Sequence, residues 1–126
     1  MRAGSAAFLL SVSLCACAPK PDAALKAAPL ALDCAQPFAA EVARLTAQPH
    51  LVAAPQEPGE PYRFYSTDGG AVSYVVTEPG APGHPAILMQ TASGGQMQTT
   101  GCPYGDPKGY KRVLAYIEAL KTVRPR

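Results

Sequence analysis

The run Ala71-Val72-Ser73-Tyr74-Val75-Val76-Thr77 limits most sharply what this chain can become. It is rich in β-branched and aromatic residues, and Val72, Tyr74 and Val76 share one face of an extended strand. Such a strand needs partners, because an isolated pair is marginal in water. The flanking sequence supplies them. Tyr62-Arg63-Phe64-Tyr65-Ser66 precedes it, across the turn signal Thr67-Asp68-Gly69-Gly70. Ala86-Ile87-Leu88-Met89-Gln90-Thr91 follows a Pro/Gly loop over residues 78–85, and Ser93-Gly94-Gly95 then leads into Gln96-Met97-Gln98-Thr99-Thr100. Short connections make consecutive strands antiparallel. The pattern predicts a four-stranded meander. Its register stays open, because a turn at Asp68-Gly69 and one at Gly69-Gly70 align the first two strands differently.

A helix is expected on each side of the meander. Over about 35–48, Phe38, Val42 and Leu45 recur at helical spacing, with Pro37 suited to the first turn and Pro49 ending the run. Residues 50–61, with Pro55, Pro58, Gly59 and Pro61, read as a connector. Near the C-terminus, Asp106 is a good N-cap and Pro107 a good first residue. Tyr110, Val113, Leu114, Ile117 and Leu120 form an apolar stripe, and Gly109 weakens the first turn. The expected fold is α+β, in the order α-β4-α, as a single domain over 33–123 with a frayed tail at 124–126.

The N-terminal segment has a different character. Arg2 is followed by the apolar run Ala6-Ala7-Phe8-Leu9-Leu10-Ser11-Val12-Ser13-Leu14 and then Cys15-Ala16-Cys17. The run is shorter than the roughly 20 residues of a spanning helix and matches an export signal. Leu14-Cys15-Ala16-Cys17 resembles the lipobox of bacterial lipoproteins, with Cys15 where Ala, Ser or Thr is more usual. That resemblance implies cleavage after residue 16, acyl chains such as palmitate on Cys17, and membrane attachment through lipid alone. In Gram-negative members, Asp after the modified cysteine commonly signals inner-membrane retention. Ala18 stands there, which implies the outer membrane, facing the periplasm. Residues 17–32 contain Pro19, Pro21 and Pro29 and read as a flexible tether.

The same resemblance governs the cysteines. Of the four, Cys15 leaves with the signal and Cys17 carries lipid. Cys34 and Cys102 remain in an oxidising compartment, which implies a structural disulfide between them. Two buried free thiols are the alternative.

Sequence signals for catalysis are few. There is no Cys-x-x-Cys pair, phosphate-binding loop or dinucleotide fingerprint. His50 and His84 each adjoin a proline in an expected loop. His84 with Asp68 and Ser93 lacks a nucleophile elbow. Glu57, Glu60, Asp68 and Glu78 sit in or beside turns, where acidic residues are common. No cofactor and no metal site are expected. Residues 106–126 are basic and residues 33–105 acidic, a distribution suited to anionic lipid or cell-wall polymer as readily as to a solvated helix face. Export argues against nucleic acid as a partner.

These readings point to a non-enzymatic, lipid-anchored envelope protein that meets another envelope protein or a cell-wall component. The alternative is a small-ligand or enzyme-inhibiting module. It would use the loop 78–85, with Glu78 and His84, and a tyrosine-rich face drawn from Tyr62, Tyr65, Tyr74, Tyr104, Tyr110 and Tyr116.

Overall fold

A computed structural model describes Gly4 and residues 29–123. The expected signal peptide, the lipid site Cys17, most of the tether and the tail 124–126 lie outside the described residues. The elements run α1 (Phe38–Thr46), β1 (Val52–Ala53), β2 (Tyr62–Ser66), a 3₁₀ turn (Asp68–Gly70), β3 (Val72–Thr77), β4 (Ala86–Ser93), β5 (Gln96–Pro103) and α2 (Pro107–Val123). The fold is α+β, and the strands form one antiparallel sheet in the order β1-β2-β3-β4-β5. The sheet has five strands rather than four. The extra strand, β1, is two exposed residues paired with the end of β2, Val52 opposite Ser66 and Ala53 opposite Tyr65. No described helix is long and apolar enough to cross a membrane.

The register between β2 and β3 puts Tyr65 opposite Tyr74 and Ser66 opposite Ser73. Neither two-residue turn is used. Thr67 N–H donates to the Val72 carbonyl at 2.9 Å, and the loop between them is tightened by Gly70 N–H donating to Thr67 at 2.9 Å. Gly69 and Gly70 both have positive φ, which glycine adopts without steric cost.

Both faces of the sheet are covered. On one, Val72, Tyr74, Val76, Ile87 and Met89 pack with Leu45 of α1 and, around them, Phe38, Val42, Tyr65 and Tyr104. On the other, Tyr62, Val75 and Leu88 pack with Val113 and Ile117 of α2, joined by Phe64, Tyr110, Leu114 and Leu120. The alternation of a strand accounts for this: in β3, even positions meet α1 and Val75 meets α2. That is why β3 and β4 are buried almost continuously.

Each helix start has a local cause. Asp106 caps α2, its Oδ2 accepting Gly109 N–H at 2.8 Å and its carbonyl accepting Tyr110 N–H at 2.9 Å. α1 begins at Phe38, three residues later than the spacing predicts. Asp33 diverts the preceding residues into a turn, accepting Ala35 N–H at 3.0 Å on its side chain and Gln36 N–H at 3.1 Å on its carbonyl.

Residues 30–33 lie against the α1 side of the sheet. Tyr74 Oη donates to the Leu30 carbonyl at 3.0 Å, and Arg44 donates to the Ala31 carbonyl at 2.6 Å. Glu41 is fully buried. Its carboxylate accepts Arg44 Nε–H at 2.9 Å, a second Arg44 N–H, and Asp33 N–H at 2.9 Å. The Arg44 guanidinium, aided by Asp33 N–H, holds the Glu41 carboxyl below its ordinary pKa against the opposing effect of burial.

Candidate functional site

Cys34 and Cys102 form a disulfide, with their Cα atoms 5.2 Å apart. Cys34 is exposed, in the turn before α1, while Cys102 is buried near the end of β5. The bond ties the entry of the chain to the last strand on the α1 side of the sheet.

The loop 78–85 is held at both ends. Glu78 accepts Gln56 Nε2–H at 2.7 Å and pairs with Arg63. Gln56 and then Arg63 pull the Glu78 carboxyl below its ordinary pKa. His84 Nδ1 lies 2.9 Å from Thr77 Oγ1, and its ring meets Phe38 edge-on at 5.6 Å. Thr77 is itself buried. Its hydroxyl accepts Ala86 N–H at 2.8 Å and lies 3.1 Å from the Ala86 carbonyl. A side chain here completes the rung that the two backbones leave unmade where the chain turns out of the sheet. His84 is thus half-buried between a hydroxyl and an aromatic ring. The peptide bond between His84 and Pro85 is cis.

The remaining chemical groups are dispersed. Ser93 ends β4 while His84 precedes it, so the strand itself separates them by roughly 25 Å. Glu57, Glu60 and Glu78 do border one open surface hollow of about 410 Å³, rimmed by Pro58, Pro61 and Pro79. Two of these carboxylates are already engaged. Glu60 accepts Glu57 N–H at 3.3 Å, and Glu78 is held as above. Among the described residues, no group of three or more His, Cys, Asp or Glu could hold a metal ion.

The tyrosines divide between the two faces of the sheet and do not form one platform. Tyr65, Tyr74 and Tyr104 lie on the α1 side, and Tyr62 and Tyr110 on the α2 side. Tyr116 of α2 stacks on Tyr62, ring centroids 5.2 Å apart. Burial raises the pKa of the Tyr62, Tyr74, Tyr104 and Tyr110 hydroxyls. Tyr104 Oη is buried without a hydrogen-bond partner.

A cleft of about 280 Å³ opens between α2 and the sheet. Its floor is the α2-facing surface of the central strands, Phe64, Ser66, Ser73, Val75 and Gln90, and its wall is Ile117 and Leu120. Two features open it. Ser66 and Ser73 are opposed in register, so two small side chains stand beside Phe64, Val75 and Gln90. At its other end, α2 is drawn close to the loop 78–85: a Cβ on Gly109 would lie 2.2 Å from Gly83 N. Sequence reasoning missed this cleft. The signal available was a pair of serines in otherwise apolar strands, which means nothing until the register pairs them.

No protein-family model, no curated protein and no solved structure matches this chain.

Proposed function

We propose that this is a lipid-anchored protein of the bacterial cell envelope, held through acyl chains on Cys17 at the outer membrane and facing the periplasm. There it serves as a non-enzymatic interaction or structural module for an envelope protein or cell-wall component. The observation that carries the reading is the Cys34–Cys102 disulfide, because such bonds persist in oxidising compartments and are rare in the cytosol. It leaves Cys15 and Cys17 as the two cysteines of the lipobox-like segment. The docking of residues 30–33 also suits an anchored chain, since it gives the tether a fixed point of entry on the domain.

The test is metabolic labelling with a palmitate analogue, followed by membrane fractionation. The parent chain is expected to take up label and to sediment with the outer membrane, and Cys17→Ser to lose both. Equal labelling of the two chains, or sedimentation with the inner membrane, contradicts the reading.

A further inference from the structure

The cleft between α2 and the sheet has the composition of a ligand site. Its apolar walls are Phe64, Val75, Ile117 and Leu120, with Met97 and Ala54 at its border. Into this lining come three polar side chains. Gln90 is 7% exposed. Its Nε2 lies 3.4 Å from Thr99 Oγ1, and Thr99 in turn donates to Glu118 at 2.7 Å. That arrangement turns the amide and leaves Gln90 Oε1 without a hydrogen-bond partner among the described residues. The Ser66 and Ser73 hydroxyls, side by side on β2 and β3, likewise have none there. These oxygens belong to residues that line the cleft, where each can accept a hydrogen bond from a molecule seated there.

We propose that this cleft binds a neutral, largely apolar small molecule of about two fused rings that carries one hydrogen-bond donor. Each part of that description has its cause. Among the described residues that line it none is charged, so they offer an ionised ligand no counter-charge for its lost hydration. The volume is nearly twice the ~150 Å³ of a cavity that admits benzene. The apolar walls supply the affinity. The Gln90 oxygen and the two serines set the orientation, as a few convergent polar groups do in small-molecule sites. The inference does not depend on the lipid anchor.

Indole and 1-methylindole are suitable probes, because they differ by the one N–H donor. Each is titrated into the isotopically labelled full chain, with amide shifts read by NMR. Indole is expected to give saturable shifts centred on Val75, Gln90 and Ile117, with Kd on the order of 1 mM or below. 1-Methylindole is expected to bind roughly threefold or more weakly. Ser73→Leu fills the cleft and should weaken indole by roughly tenfold or more while leaving the fold intact. Gln90→Met keeps the volume and should erase the difference between the two probes. The proposal is overturned by non-saturable shifts, by shifts centred elsewhere, or by Ser73→Leu binding as the parent does. Preserved discrimination in Gln90→Met, or contacts placing the chain's own C-terminal residues in the cleft, would overturn it too.

Discussion

Gly83 and Gly109 meet backbone to backbone. A Cβ on Gly109 would lie 2.2 Å from Gly83 N and 2.6 Å from Gly83 Cα, so the first turn of α2 rests directly on the loop 78–85. This reverses the ordinary expectation for glycine in a helix. By propensity alone, Gly109→Ala should stabilise by about 1 kcal/mol. Here the methyl group has only backbone to displace, and overpacking of that kind costs about 1–3 kcal/mol, at times more. The variant is expected to unfold at lower urea concentration than the parent. A midpoint equal to or above the parent's would mean that the helix and loop move apart freely.

The disulfide should contribute strongly to stability. It closes a loop with a sequence separation of 68. In the chain-entropy account a loop of that size is worth about 4 kcal/mol. The Cys34→Ser, Cys102→Ser double variant should therefore show a large drop in urea midpoint. A reductant should produce a similar drop in the parent and none in the variant. Alkylation of the unreduced, unfolded parent should leave both cysteines unmodified.

Glu41 makes stability depend on acid. Its folded pKa lies below the ordinary value of 4.5, with the Arg44 hydrogen bonds as the leading cause. A depressed carboxyl pKa contributes stability above the unfolded value and loses it as pH falls through the folded value. Urea midpoints of the parent should accordingly decline below about pH 4.5, and Glu41→Gln should flatten that limb. At neutral pH the substitution replaces charge-assisted bonds at a fully buried position and should cost about 2 kcal/mol. An unchanged acid limb in Glu41→Gln would assign the dependence to other carboxylates.

Thr77 offers a nearly isosteric test. Thr77→Val removes the hydroxyl that pairs with the Ala86 N–H and leaves a buried donor and acceptor unmet. The expected cost is about 1–3 kcal/mol. Hydrogen exchange should quicken at Ala86, and Thr77→Ser should recover most of the protection. Protection at Ala86 that survives in the valine variant would show that the backbones pair without the side chain.

The four longer strands were legible because each is bounded by a glycine or proline signal and carries β-branched or aromatic residues. β1 was not, since Val52 and Ala53 are two exposed residues with no period to read. β5 runs on to Pro103, which reads as a breaker but sits where the sheet edge tolerates it. The start of α1 was misplaced because Ala35 and Gln36 suit a helix, while Asp33 claims both amides for a turn. Nothing in the sequence marks Glu41 as buried, because its burial depends on residues 30–33 folding back over it. The cleft and the Gly83–Gly109 contact were hidden for one reason: each joins segments whose relative placement only the register and the tertiary packing determine.

The position of the disulfide also decides how the domain carries mechanical load. Tension applied through the N-terminal segment first meets the Tyr74–Leu30 and Arg44–Ala31 hydrogen bonds, which can be pulled apart one after another. It then reaches Cys34 and passes covalently to Cys102 in the last strand, bypassing α1 and the four preceding strands. Pulled from its two ends, the oxidised chain can lengthen only before Cys34 and after Cys102. The interior of the sheet is thereby excluded from the force path, and its rupture under load requires reduction first.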